Sequence, residues 1–258
     1  MECKELEKVA VGVAREVGDL LLPHFGKIKF KNKSGSPADV VTDLDVEAER
    51  LIAKRFKKET PNFGFKGEEG GGVRSEKFWL VDPIDGTAHF VRGTPFCTTM
   101  IALVDSGEVV VGVIFNFVTG EMFSASKNNG AKLNGKPITV SDRLLSQSYI
   151  SIESKLDDEE TIKKYLELQK KTVLFHTVSC GYEYGLVASG KLDGRIGLHP
   201  YGADYDFAPG SLLVREAGGV VANIGTNSFD YLNFDAICAN PTIYKELTQG
   251  DEALLPIK

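Results

Sequence analysis

The chain has no apolar run approaching the roughly 20 residues of a membrane-spanning helix, no long Lys/Arg block and no CxxC pair. Each absence removes a class of function. Without a spanning segment, a membrane protein is not indicated. With a formal net charge of −6 and no basic block, nucleic acid is not an expected partner. The four cysteines, Cys3, Cys97, Cys180 and Cys238, are widely separated, and His24, His89, His176 and His199 show no HxxxH spacing. That argues against zinc, and each lone Cys or His reads as packing or surface. The opening Met1-Glu-Cys-Lys-Glu-Leu-Glu is charged from its second residue and lacks the apolar core of a secretory signal, so a cytoplasmic location is expected. No repeat and no low-complexity linker appears. The 258 residues, 42% hydrophobic and 26% charged, have an ordinary globular composition and suffice for one large or two smaller domains.

Against this background one stretch carries chemistry: Trp79-Leu-Val-Asp82-Pro83-Ile84-Asp85-Gly86-Thr87. Phe78 to Val81 are aromatic, aliphatic and β-branched, as in a buried strand, and Pro83 is expected to stop ladder pairing there. Asp82 and Asp85 then bring two carboxylates, with the Ile84 carbonyl, into one small volume. Hard oxygen ligands in that number suit Mg²⁺ or Mn²⁺. Gly86 permits close backbone approach, and the N–H groups of Gly86 and Thr87, opening a following helix, would take phosphate oxygens. A turn with an Asp cap accounts for the same residues locally, so the rest of the chain has to decide.

Leu6, Val9, Val13, Val17, Leu20 and Leu21 predict an amphipathic helix over 4–24. Residues 27–38, basic and then rich in small residues, predict a β-ribbon or loop, with a cationic flap as one use for its lysines. Thr42 caps a helix whose early acids, Asp43, Asp45, Glu47 and Glu49, favour its dipole. A short strand after Asn62 leads into Gly67-Glu68-Glu69, and Gly70 to Gly72 free the chain afterwards. Strands at 98–104, 109–115, 121–125, 131–133 and 138–140, with turns at Ser106-Gly107, Thr119-Gly120 and Asn134-Gly135, predict an antiparallel sheet. Beyond about residue 145 strands (148–152, 219–222, 235–239) alternate with helices (157–170, 181–189, 206–217), an α/β pattern. Residues 1–143 thus form an α+β half bearing the metal and phosphate site. Residues 144–258 form a smaller α/β half, sharing a continuous interface with the first.

A third acid, Asp206, sits at a helix start and precedes Glu216-Ala-Gly-Gly219. The joint pattern of Gly67-Glu68-Glu69, Asp82-Pro-Ile-Asp-Gly-Thr87 and Asp206 resembles the inositol monophosphatase family of lithium-sensitive, metal-dependent phosphatases, whose superfamily includes fructose bisphosphatases. The resemblance spans roughly residues 5–248. It implies a layered αβαβα sandwich, the sugar-phosphatase fold, with a mixed antiparallel N-terminal sheet. It implies a first Mg²⁺ on Glu68, Asp82 and the Ile84 carbonyl, and a second on Asp82, Asp85 and Asp206. Glu68 would also hold a weaker third ion, and Mn²⁺ is an alternative metal. Thr87, paired with Asp45, is similar to the pair that positions the attacking water, and Glu68 would take that water's proton. No nucleophilic Ser or Cys is needed. Asp85, Gly86, Thr87 and Asp206 would contact the substrate, a small phosphate monoester, in a homodimeric enzyme.

Substrate identity is less determined than chemistry. Many inositol phosphatases carry an acid about seven positions before the last metal Asp, where this chain offers Gly197 in a loop about two residues longer, with Arg195 close by. Arg195 would suit a second anionic group, as in a bisphosphorylated sugar. Gly181-Tyr-Glu-Tyr-Gly185 and Thr98-Thr99 are similar instead to histidinol-phosphate phosphatases, where an exposed acid such as Glu183 or Asp204 would pair with an amine. Inositol 1-phosphate leads, histidinol phosphate and fructose 1,6-bisphosphate are rivals, and a phospholigand-binding protein without activity is the alternative from another class.

Overall fold

The computed structural model describes residues 1–32 and 40–257. Its N-terminal helix α1 (Cys3–Leu21) buries Leu6, Ala10, Val13, Ala14, Val17 and Leu21, the stripe a 3.6-residue period requires, and a short 3₁₀ turn at Leu22–His24 ends it. Strands β1 (Lys31–Asn32) and β2 (Val40–Val41) pair as an antiparallel ribbon. Of the segment expected as a ribbon or loop, only Lys31–Asn32 is strand among the described residues, its partner Val40–Val41 lies just beyond it, and positions 33–38 lie outside the described residues. Helix α2 (Asp43–Glu59) packs beside α1, capped by Thr42 as expected.

An eight-stranded sheet follows, built from β3 (Gly64–Gly67), β4 (Gly71–Val73), β5 (Lys77–Asp85), β6 (Thr98–Asp105), β7 (Glu108–Asn116), β8 (Glu121–Ser126), β9 (Ala131–Leu133) and β10 (Lys136–Ile138), with helix α3 (Thr87–Arg92) between β5 and β6. Its spatial order is β10, β9, β8, β7, β6, β5, β3, β4, antiparallel throughout except for the parallel β3–β5 pair. A five-stranded mixed sheet has the order β12 (Val173–His176), β11 (Tyr149–Ser154), β13 (Gly194–Leu198), β15 (Ala236–Ala239), β14 (Val220–Asn223). Helices α4 (Glu159–Lys171), α5 (Cys180–Ala188), α6 (Asp204–Glu216) and α7 (Pro241–Thr248) complete the second half.

Alternation along the strands explains the layers. Trp79, Val81, Ile101, Leu103, Val111 and Val113 face α1 and α2, where Phe56 stacks on Trp79 at 4.0 Å. The opposite face, with Phe78, Leu80, Met100, Ala102 and Ile114, packs on α5 and α6 through Tyr184, Val187, Phe207, Leu212 and Leu213. In the second sheet Ile150, Ile152, Ile196 and Leu198 meet Leu168 of α4 and Ile243 and Leu247 of α7. The result is the expected αβαβα sandwich. Helices α5 and α6 form its central layer, and their core is continuous with both sheets.

Two local expectations fail. Pro83 does not end its strand: β5 continues to Asp85, which pairs with Thr98, through a register irregularity between Asp82 and Asp85. Pro83 lacks only a donor, and its carbonyl accepts the Thr99 hydroxyl at 2.9 Å, so a bulge accommodates it. Gly70 to Gly72 do not simply release the chain, because Gly71–Val73 pair with β3 as a hairpin. Strands β12 and β13 and helix α7 were not foreseen; the first two are short and carry no alternating pattern that distinguishes them from loop.

Candidate active site

Period-two alternation places Asp82, two residues beyond Leu80, on the face of β5 that looks toward α6. Strand β3 runs parallel to β5 with Gly67 opposite Val81, and the Glu68 N–H donates to the Val81 carbonyl at 3.2 Å. Glu68 and Asp82 therefore leave adjacent strand ends side by side, close enough for their carboxyl groups to share a hydrogen bond. Asp206 enters from the first turn of α6, where its Oδ2 accepts the Ala203 N–H at 2.7 Å. Asp82, Asp85 and Asp206 each present an oxygen within 4.8 Å of the others.

The three aspartates are held differently. Asp85 Oδ2 accepts from the Ser179 hydroxyl at 2.8 Å, the Gly181 N–H at 2.9 Å and the Thr98 hydroxyl at 3.1 Å. Burial raises its pKa, and those donors together with Arg195 oppose the rise. Asp82 Oδ1 accepts the Ile84 N–H at 2.9 Å. Burial, and then the charges of Glu68, Asp206 and Asp85, push its carboxyl well above the usual carboxylate range. Asp206 is raised well too, by burial and then by Asp85. A crowded set of oxygen donors, each disfavouring the ionisation of the next, is the donor chemistry a hard divalent cation fits.

Gly86 turns the chain out of β5 at φ 79°, and a Cβ there would sit 2.4 Å from the Phe96 carbonyl oxygen. Thr87 follows, its hydroxyl 2.9 Å from the Ile84 carbonyl and 3.0 Å from Asp45 Oδ1. The other Asp45 oxygen accepts both the N–H and the hydroxyl of Thr42 at 2.7 Å. Asp45 thus caps its helix and touches Thr87 at once. Its carboxyl is raised by burial and held back by the Thr42 and Thr87 bonds. Asp45, Asp82, Ile84 and Asp85 form a buried floor, and Glu68, Gly86, Thr87 and Asp206 a half-buried rim.

Arg195 is not brought to this rim. Only 2% exposed, it pairs with Glu153 and, at 3.5 Å, with Glu183, its guanidinium over the rings of Tyr184 and Phe207. The expected contact with a second substrate anion is therefore not available to it. Glu183 and Asp204 are not exposed either: the first accepts the Val178 N–H at 2.7 Å, and the second meets Arg74 at 2.7 Å. Sequence reasoning missed Ser179 and the Gly181 N–H, whose bond to Asp85 is a tertiary contact without a local signal. It also gave Glu49 only to the helix dipole. Glu49 is buried and accepts the N–H groups of Glu69 at 2.7 Å and Gly70 at 2.5 Å, fixing the loop that carries Glu68. Its place four residues after Asp45, on the same helix face, was the available clue.

A profile of the inositol monophosphatase family matches residues 2–253. The chain belongs to the inositol monophosphatase family. An inositol monophosphatase from Dictyostelium discoideum is 32% identical over 255 residues, covering 93% of this chain and 92% of the relative. A fructose-1,6-bisphosphatase/inositol-1-monophosphatase from Thermotoga maritima is 29% identical, covering 93% of each chain. Among solved structures, an IMPase from Thermotoga maritima superposes with a TM-score of 0.84 at 30% identity over 92% of both chains. The family is one of phosphatases, and the acid cluster of this member lies between the end of β5 and the first turn of α6.

Proposed function

We propose that this protein is a Mg²⁺-dependent phosphomonoesterase that hydrolyses inositol 1-phosphate. The observation that carries this reading is the convergence of Asp82, Asp85 and Asp206 within 4.8 Å, beside Glu68 and the Thr87–Asp45 pair. Glu68, Asp82 and the Ile84 carbonyl would hold one Mg²⁺; Asp82, Asp85 and Asp206 a second; Glu68 a weaker third. Cations held there supply positive charge against phosphoryl oxygens and lower the pKa of water.

The chain's own groups account for the proton and for orientation. Asp45 accepts from the Thr87 hydroxyl, which leaves lone pairs on that oxygen to receive a hydrogen bond from a water at the rim. Glu68, half-buried at the same rim, takes the water's proton as general base. The Gly86 and Thr87 N–H groups, at the sharp turn out of β5, would receive the phosphate oxygens. A homodimeric, cytoplasmic, lithium-inhibited enzyme is what family resemblance adds. No described helix is long and apolar enough to cross a membrane.

Fructose 1,6-bisphosphate is the second reading, favoured by the double name of the Thermotoga relative. Histidinol phosphate loses support, since neither Glu183 nor Asp204 is free to meet an amine. Phosphate release from these three esters, measured in parallel with Mg²⁺, with EDTA and with Mg²⁺ plus lithium, tests the proposal. Metal-dependent, lithium-inhibited turnover fastest on inositol 1-phosphate is expected. Preference for the bisphosphate selects the second reading. No turnover of any ester, with metal still bound, would leave a phospholigand-binding protein or a different ester.

A further inference from the structure

Arg195 occupies an unusual position for a charged residue: it is among the largest fully buried side chains, with two carboxylates around one guanidinium. The burial is built in by register. Ile196 and Leu198 of β13 point toward α4 and α7, so Arg195 points the other way, toward α5 and α6. Glu153 of β11 has the same orientation, being next to Ile152, and Glu183 comes down from α5. The guanidinium carbon lies over the rings of Tyr184 and Phe207, at 5.0 and 5.4 Å from their centroids. A planar, permanently charged fork over two rings suits this space, and an ammonium does not fill it.

Each glutamate uses one oxygen on Arg195 and the other on a loop that aims a metal ligand. Glu183 Oε2 faces Arg195, and its Oε1 accepts the Val178 N–H at 2.7 Å. The next residue, Ser179, donates its hydroxyl to Asp85 at 2.8 Å. Glu153 Oε2 faces Arg195, and its Oε1 accepts the Tyr201 N–H at 3.1 Å. Two residues on, the Ala203 N–H donates to Asp206 at 2.7 Å. Phe207, whose ring the guanidinium overlies, immediately follows Asp206.

We infer that Arg195 is a positioning residue for the metal centre, a single cation whose two glutamate arms set the loops that orient Asp85 and Asp206. The arrangement links two ligands 121 positions apart in sequence through one side chain. It also gives Glu153 and Glu183 a role that neither has toward substrate. The inference rests on the metal-site reading above.

The test is titration calorimetry of Mg²⁺ and Mn²⁺ into EDTA-stripped protein, comparing the unsubstituted chain with Arg195→Lys, Arg195→Gln and Glu153→Gln, each checked for folding by circular dichroism. Metal affinity is expected to fall roughly 10–100-fold, the range for loss of groups that orient ligands. Arg195→Lys should rescue only part of the loss in Arg195→Gln, and Glu153→Gln should weaken binding through the Asp206 arm alone. In the phosphate-release assay the metal requirement should rise while KM for the ester, at saturating metal, stays unchanged. Unaltered metal affinity in folded Arg195→Lys and Glu153→Gln overturns the inference, whether or not Arg195→Gln folds. A raised KM with unaltered metal affinity also overturns it, in favour of direct substrate contact. No metal uptake by the unsubstituted chain overturns the metal-site reading, and this inference with it; uptake shared equally by all variants overturns the inference alone.

Discussion

The two walls of the site are built on opposite principles. On the eight-stranded sheet, Asp82, Ile84, Asp85, Gly86 and Thr87 are supplied by six consecutive residues, whose relative placement follows from one strand end and one turn. On the five-stranded side, Glu153, Ser179, Gly181, Glu183, Arg195 and Asp206 come from β11, α5, β13, α6 and the segments leading into the helices. They meet only through tertiary contacts between the second sheet and the docked helices α5 and α6. The first wall concentrates ligands, and the second aims them. Substitution on the first wall should remove chemistry outright, and substitution on the second should misplace it.

Asp82→Asn gives the largest expected effect. The charges of Glu68, Asp206 and Asp85 all bear on Asp82, and the amide removes charge from both proposed ion sites. Turnover should fall by at least about 10³-fold, on the order of 4 kcal/mol. Mg²⁺-dependent turnover within tenfold of the unsubstituted chain would mean that Asp82 does not bridge two ions.

Gly181→Ala tests the second wall. A Cβ there would lie 2.4 Å from the Thr98 hydroxyl, 2.6 Å from the Met100 sulfur and 3.0 Å from Asp85 Oδ2. The helix end must retreat, carrying with it the N–H that Asp85 accepts. A loss of about 100-fold in turnover is expected from a displacement of an ångström or less, with the fold kept. Unchanged kinetics in a folded variant would erase the distinction between the walls.

The same division explains what the sequence made legible. The motif strand, the Thr42 cap, the hairpins and both long amphipathic helices follow from local period and turn chemistry, and Asp82, Asp85, Thr87 and Asp206 stand out through the family resemblance. Arg195 did not. From sequence it is a polar residue at the end of an unmarked segment, and only the register of β13 against β11 shows that it points inward to Glu153. Glu183 and Asp204 failed for a related reason: an acid on a helix reads as exposed until its partner, here Arg195 or Arg74, is placed. Pro83 fails as a stop signal because a missing donor is not a missing strand, and the bulge needs only the carbonyl.

Asp45→Asn should give a smaller effect, because Asp45 acts through Thr87 and lies on neither wall. The amide keeps an acceptor for Thr42 but lowers the pull on the Thr87 hydroxyl. Turnover should drop ~10- to 50-fold, less than for groups that move the proton themselves. Metal titration should be nearly unaltered, and lost metal binding in this variant would place Asp45 among the ligands instead.

The smallest effect concerns stability and compares the walls electrostatically. Asp82 and Asp206, crowded by burial and by each other's neighbours, have folded-state pKa values raised above the roughly 3.9 of an unfolded aspartate. Above that value the native state keeps protons that the unfolded chain has released, so stability falls as pH rises toward the raised values. Asp105, held low by its bond to Lys77, works in the opposite direction: its contribution is lost as pH falls, but only below about pH 4. Above about pH 4 the crowded aspartates therefore decide the sign, and the melting temperature of metal-stripped protein should decline as pH rises from there. Mg²⁺ should flatten the decline, since a bound cation favours the ionised carboxylates that burial opposes. For a chain of this size each kcal/mol is roughly 2–4 °C, which scanning calorimetry resolves. A metal-stripped protein that became more stable over the same rise in pH would show that the carboxylates are ionised without a cation, and the case for a charge-hungry wall would fail.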